Sequence, residues 1–355
     1  MRIVHVLGTR PNFVKMAPVI AALGKRLPEA RSTVVHTAQH YDRAMSQVFF
    51  DELSVPAPDH MLGIGSGTHA EQTARVLQRL EPVLRRERPD LVIVPGDVNS
   101  TLAATLCAVK LEIPVAHVES GLRSFDRSMP EEVNRVVTDQ LAALCFLHSD
   151  EAVENLRAEG IEGDRVRFVG NTMIDTLVAL ERRFRERGAA ARLGLESGSY
   201  LLVTLHRPAL VDGPLLAEAV AALADVGRQM PVVFPVHPRT RKMLAGAELD
   251  GVVLADPVGY LDFLSLESEA AAVLTDSGGI QEETTYLGVP CFTLRENTER
   301  PVTVRVGTNT LLGLEPGRIA DIPGLLSAAP RERPEPPPMW DGRAAERVAE
   351  VVAGW

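Results

Sequence analysis

Leu274-Thr-Asp-Ser-Gly-Gly-Ile-Gln-Glu-Glu-Thr284 begins at the end of an apolar run, Ala271-Ala-Val-Leu-Thr275, and passes through two glycines into a stretch with consecutive carboxylates. Strand, glycine turn and helix in that order form half of a parallel βαβ unit. A strand ending at Ser277, Gly278 and Gly279 presents unhindered backbone N–H groups at a helix N-terminus. Unpaired donors and partial positive charge there favour an anion such as a diphosphate. Glu283, one turn on, is placed to hold ribose hydroxyls. Taken alone, the stretch reads equally well as a βα turn with a good N-cap.

Working outward, short apolar runs alternate with helical periodicity along the whole chain, the pattern of parallel sheets covered on both faces. The first half carries strands at Arg2–Leu7, Ser32–His36, Leu91–Pro95, Val115–Val118 and near Cys145–Leu147. Helices follow at Val14–Leu27, Thr101–Leu111 and Glu131–Leu144. A charged stretch, Glu181–Arg187, and the small-residue segment Gly188–Arg192 introduce a second series. Its strands are Tyr200–Leu205, Pro231–Pro235, Gly251–Leu254, Ala271–Thr275 and Pro290–Leu294. The expected architecture is α/β, with two Rossmann-like domains at residues 1–170 and 171–339. The proline-rich Pro330–Pro338 is a stiff connector that lets a last helix, within 340–355, return to the first domain. Ligands of doubly wound sheets bind beyond the strands' carboxyl ends, and two such domains are expected to share an interdomain cleft.

The chain has 355 residues, 45% hydrophobic and 24% charged, with a net charge of -10. That balance fits a globular protein and argues against nucleic acid or anionic membrane as the main partner. No apolar run approaches the roughly 20 residues of a spanning helix, and the first strand reaches Gly8 too soon for a signal-peptide core, which points to the cytoplasm. Cys107, Cys145 and Cys291 are widely spaced among apolar neighbours and read as buried thiols, with neither a disulfide framework nor a metal site.

Candidate chemistry sits at strand ends. Gly8-Thr-Arg-Pro-Asn-Phe-Val-Lys15 follows the first strand and supplies Arg10 and Lys15, but it is not a dinucleotide fingerprint. Asp97 follows the Leu91–Pro95 strand; Ser100 or Asn99 is expected to cap the next helix, leaving Asp97 for another role. His117-Val-Glu119-Ser-Gly-Leu-Arg123 puts a second carboxylate at a strand end, and Pro130-Glu131-Glu132 opens a helix, where Glu132 reads as a complement to the helix dipole. In the second half, His206 and Arg207 end one strand and His237 and Arg239 the next. His206 is suited to protonate a leaving diphosphate. Arg300 reads either as a ligand contact or as half of a surface salt bridge.

Together these motifs, in this order, resemble the non-hydrolysing UDP-N-acetylglucosamine 2-epimerase family. The likeness runs from Gly8-Thr-Arg-Pro11 through His36-Thr-Ala-Gln-His40, Gly96-Asp97, His117-Val-Glu119, Pro130-Glu-Glu132, Val169-Gly-Asn171, His206-Arg207 and Pro235-Val-His237 to Thr275–Glu283 and Thr298-Glu-Arg-Pro301. The resemblance implies a GT-B-like pair of domains, a homodimer, and neither NAD nor metal. It implies anti elimination of UDP to 2-acetamidoglucal and re-addition, converting UDP-GlcNAc to UDP-ManNAc. Asp97, Glu119 and Glu131 match the catalytic carboxylates and His206 the catalytic histidine. Arg10, Lys15, Phe263, Ser277, Gly278, Gly279, Glu283 and Arg300 match substrate contacts, with Phe263 at the nucleobase. His237 matches a contact to a second, allosteric sugar nucleotide. Departures from the family pattern are Asn12 where many members have Glu, Pro208-Ala-Leu-Val211 after His206-Arg207, and Val258 in place of a polar uracil neighbour.

Four other readings stay open. A relative acting on a UDP-N-acetylated uronic acid shares these motifs, and a hydrolysing relative differs in water access. A GT-B glycosyltransferase would share the UDP loop but need one base, and a silent sensor would be expected to lack one of Asp97, Glu119, Glu131 or His206.

Overall fold

The computed structural model describes residues 1–38, 52–53, 55–207, 210, 213, 215–236, 241, 244, 249–328 and 334–355. Gln39, His40, Pro208, Val211, His237, Arg239 and the start of the proline-rich connector lie outside them. The chain divides into two compact units, one made of residues 1–179 with 338–355 and the other of 180–337.

The first unit holds β1 (Arg2–Leu7), β2 (Arg31–His36), β3 (His60–Met61), β4 (Leu91–Pro95), β5 (Val115–Val118), β6 (Leu144–Leu147) and β7 (Val166–Phe168). Among the described residues they form one sheet in the order β3-β2-β1-β4-β5-β6-β7, with every pairing parallel. The connecting helices are α1 (Arg10–Arg26), α2 (His69–Glu87), α3 (Asn99–Lys110), α4 (Pro130–Leu141), α5 (Asp150–Ala158) and α6 (Thr172–Arg185). Val4, Val6, Val35, Val92 and Val94 of the strands pack on Val76, Leu80 and Leu84 of α2 and Ala103 and Ala104 of α3. Helix α2 starts at a capping box, Thr68 with Glu71, and tolerates Pro82 inside it. Strand order reverses at β1 and β4, so the loops after these two strands flank the switch point of the sheet.

The second unit holds α7 (Ala189–Arg192), β8 (Leu201–Thr204), α8 (Leu215–Gly227), β9 (Val232–Pro235), β10 (Val252–Ala255), α9 (Tyr260–Glu269), β11 (Ala272–Thr275), α10 (Gly278–Leu287), β12 (Cys291–Thr293), α11 (Pro301–Arg305), β13 (Asn309–Leu311) and α12 (Ile322–Ala328). Its sheet runs β10-β9-β8-β11-β12-β13, again all parallel. Here the switch falls at β8 and β11, which lead into His206 and Asp276.

The chain then returns to the first unit. Trp340 is 2% exposed and donates its indole N–H to the His148 carbonyl at 2.8 Å. Helix α13 (Ala344–Ala353) packs on α1, and the Asp175 carboxylate accepts the N–H groups of Ala344 at 3.1 Å and Ala345 at 2.6 Å. The three cysteines are buried thiols, pushed up by burial to about 11 for Cys107 and about 12 for Cys145 and Cys291. Among the described residues no helix is long and apolar enough to cross a membrane.

Candidate functional site

In the first unit β4 and β5 lie side by side, with Pro95 opposite Val118, and each strand delivers a carboxylate just past its end. Glu119 is 6% exposed and adopts a positive φ of 71°, a strained conformation for a side-chain-bearing residue. Its Oε2 lies 2.5 Å from the Lys15 ammonium on α1. Asp97 is partly exposed, and its Oδ2 lies 2.5 Å from the guanidinium of Arg135 on α4. Each carboxylate is thus fixed by one buried cation from a neighbouring helix. Gly96 has φ +66°, and a Cβ there would press on the Lys15 ammonium at 3.3 Å and the Asn12 amide at 3.4 Å. Asn12, the departure from the family pattern, is buried and binds the N–H groups of Gly8 and Thr9 at 2.9 and 3.1 Å and the Pro95 carbonyl at 3.4 Å. It ties the β1 turn to the end of β4.

Two local expectations are corrected. Neither Ser100 nor Asn99 caps α3, whose N-cap is Val98 without a side-chain bond. Ser100 bonds Thr37 at 2.8 Å, and Asn99 reaches Gln72 at 2.8 Å. Asp97 is nevertheless not left over, because Arg135 holds it. Glu132 does more than complement a dipole. It accepts from Ser124 N–H at 2.8 Å, Ser124 Oγ at 3.0 Å and Phe125 N–H at 3.0 Å, and pairs with Arg135 at 3.0 Å. Glu131, in the first turn of α4, is half-buried. It precedes Asn134 and Arg135 by three and four positions, hence shares their helix face, and Asn134 donates to the Asp97 carbonyl at 2.8 Å. Arg10 is exposed at the first position of α1.

In the second unit His206 is 63% exposed, with Nδ1 2.8 Å from Oδ1 of Asp276. The other Asp276 oxygen accepts the backbone N–H groups of His206 and Arg207 at 2.8 and 2.7 Å. Burial raises the Asp276 pKa, but the His206 hydrogen bond and charge and these two amides more than offset it, holding the carboxyl below its usual range. A carboxylate on Nδ1 orients the ring and turns Nε2 outward. Arg207 donates from Nε to the Asp276 carbonyl at 2.9 Å, so it braces the same loop.

Helix α10 begins with N-cap Ser277, which makes no side-chain cap of its own. Over it lies Arg300, 4% exposed, whose guanidinium would collide with any Cβ at Gly278. Arg300 pairs with Glu282 at 3.0 Å and Glu299 at 2.6 Å, a buried network in place of the surface salt bridge weighed from sequence. Glu283 is 3% exposed and accepts the Tyr260 hydroxyl at 2.6 Å. Burial, partly opposed by that bond and reinforced by the Glu282 charge, raises Glu283 to about 7. Glu267 is fully buried, and among the described residues neither carboxyl oxygen has a hydrogen-bond partner; burial and the neighbouring Glu283 push its pKa far up. Phe263, half-buried, follows Tyr260 by one turn on α9.

The structure therefore gathers Lys15, Asp97, Glu119 and the start of α4 with Glu131 at one sheet edge, and His206, Ser277–Gly279, Glu283 and Arg300 at the other. Asp276, Arg135 and Tyr260 are additions. Asp276 was signalled by its place just after β11, but its glycine neighbours drew the reading to the turn. The partnership of Arg135 with Asp97 spans 38 positions and leaves no local signal. Among the described residues no cluster of three or more His, Cys, Asp or Glu side chains is arranged to hold a metal ion.

Comparison with known proteins gives the same direction. The sequence profile of the family described as UDP-N-acetylglucosamine 2-epimerase matches residues 24–353. The UDP-N-acetylglucosamine 2-epimerase of Methanocaldococcus jannaschii is 41% identical over 99% of both chains. The UDP-2,3-diacetamido-2,3-dideoxy-D-glucuronate 2-epimerase of Pseudomonas aeruginosa is 39% identical, also over 99% of both. The crystal structure of the Methanocaldococcus jannaschii UDP-GlcNAc 2-epimerase in complex with UDP-GlcNAc and UDP superposes with a TM-score of 0.90, at 40% identity and complete coverage of both chains. The two parallel-sheet units thus have the GT-B-like fold of these enzymes, and the chain belongs to the UDP-N-acetylglucosamine 2-epimerase family.

Proposed function

We propose that this chain interconverts UDP-GlcNAc and UDP-ManNAc without a cofactor, by anti elimination of UDP to 2-acetamidoglucal followed by re-addition of UDP at C1 with the proton returned to the opposite face of C2. The observation that carries the reading is the pair of carboxylates, Asp97 and Glu119, on adjacent strand ends and each held by its own buried cation. The C2 proton is weakly acidic, so its removal needs placed bases and a stabilised leaving group. In this reading Asp97, Glu119 and Glu131 move the C2 proton. His206, steadied by Asp276, meets the leaving diphosphate. The α10 N-terminus and Arg300 bind phosphate, Glu283 the ribose, Phe263 the base, and Arg10 and Lys15 the sugar nucleotide. A homodimer is part of the proposal, tested by sedimentation.

A second reading is carried by the full-length match to the uronate epimerase. It keeps the chemistry and changes the group at C6 and C3. Proton NMR of the protein with UDP-GlcNAc in deuterated water separates the two. UDP-ManNAc carrying deuterium at C2 supports the first reading. Free ManNAc with UDP indicates a hydrolysing enzyme, and an unchanged spectrum with turnover of the diacetamido uronic acid substrate establishes the second.

A further inference from the structure

Two candidate carboxylates of the first unit, Asp97 and Glu119, share a support that the family motifs do not assign. His117, on β5, is 0% exposed. Its Nδ1 lies 2.6 Å from Oδ1 of Asp139 on α4, and its Nε2 lies 2.7 Å from the carbonyl oxygen of Gly96, the residue before Asp97. The other Asp139 oxygen accepts the Gly121 N–H at 3.0 Å and faces the Arg123 guanidinium at 2.8 Å. Asp139 is therefore bonded to the turn two residues beyond Glu119 and, through His117, to the loop one residue before Asp97.

The Gly96 carbonyl only accepts, so Nε2 of His117 donates to it, while Nδ1 faces the Asp139 carboxyl, whose other oxygen takes an amide and a guanidinium. Burial raises the Asp139 carboxyl, and His117 and Arg123 overcome that and hold it low. Arg123 is balanced in turn by Glu159 at 2.7 and 2.6 Å.

Backbone geometry shows what the clamp resists. Gly96, Glu119 and Gly121 all have positive φ, at 66°, 71° and 80°. Glu119, the one non-glycine among them, is held in this conformation by bonds on either side: Glu119 N–H to the Phe146 carbonyl at 3.1 Å, and Ser120 Oγ to the His117 carbonyl at 2.7 Å. Strain of this kind, of order 1–3 kcal/mol, persists only where surrounding contacts over-determine it.

We propose that His117 and Asp139 are positioning residues for the reaction: one buried hydrogen-bonded pair that sets the spacing of Asp97 and Glu119 across the reacting carbon. The proposal rests on the epimerase reading. The test uses the full chain as wild type, His117→Asn, Asp139→Asn and the double variant, measuring kcat and KM for UDP-GlcNAc, the isotope effect from deuterium at C2, and the Kd of UDP. His117→Asn keeps a donor toward Asp139 and loses the reach to Gly96. Expected are kcat losses of roughly 100-fold in each single variant, as for a displacement near 1 Å, and no further loss in the double variant. The isotope effect should grow and the Kd of UDP stay within about twofold, because the proposed base, ribose and α10 phosphate contacts lie in the other unit. Single variants within about twofold of wild-type kcat would overturn the proposal, as would losses that multiply in the double variant. An unfolded Asp139→Asn leaves His117→Asn to decide. An inactive wild type would instead overturn the epimerase reading and this inference with it.

Discussion

At the residue scale, a carboxylate orients a histidine, and burial governs the protonation of another carboxylate. Asp276 contacts the His206 ring and the backbone amides of His206 and Arg207 at once. Asp276→Ala should therefore lower kcat by roughly 100-fold or more, with His206 present but misdirected, measured by NMR of the sugar anomeric protons. Glu283 is raised to about 7 by burial, and the form suited to a ribose diol is the carboxylate. Binding then expels a proton from the protonated fraction, so UDP affinity should fall as pH drops through about 7. Glu283→Gln should flatten that dependence and weaken UDP binding by about 1 kcal/mol, read by calorimetry across the pH range.

Helices act mainly through their ends. Asp175 accepts the first two amides of α13, so Asp175→Ala should cost about 1–2 kcal/mol in chemical denaturation and loosen the C-terminal helix. Gly278 lies beneath Arg300, so Gly278→Ala should displace the guanidinium and reduce UDP affinity with little effect on stability; equal affinity would remove Arg300 from the phosphate site. The long apolar strands, β1, β4, β8 and β11, were legible because parallel strands buried on both faces read as continuous Val, Ile and Leu runs. The short edge strands were not. Val166–Phe168 and Asn309–Leu311 have three residues each and are only partly buried, and His60–Met61 has two. Helix α2 was not named from sequence either, although its buried Val76, Leu80, Val83 and Leu84 keep helical spacing. The strand-end carboxylates and histidine followed from strand position, whereas Arg135, Tyr260 and Asp139 reach them through pairings 22 to 38 positions apart. Such pairings exist only once the sheets are folded.

Across the whole molecule, binding and turnover should separate. With UDP at about 100 times its Kd, the stability of the second unit should rise by about 2.7 kcal/mol. Asp97→Asn should keep that gain and lose turnover, as followed by thermal shift and NMR together. A variant that loses both would place Asp97 among the nucleotide contacts.

The return of Trp340 and α13 to the first unit also sets a schedule for the nascent chain. Residues 1–179 leave the ribosome long before the segment that seals them, since all of residues 180–337 must be translated in between. At synthesis speeds of about 5–20 residues per second, that interval is on the order of 10–30 s. During it, the surface of α1 that α13 will cover is exposed, and Asp175 waits for its amides. The second unit, continuous in sequence, can close while the first is still unfinished. Ribosome-bound chains in which residue 337 has cleared the exit tunnel but the 338–355 segment has not should accordingly show a protease-resistant second unit beside a first unit that remains a substrate for chaperones.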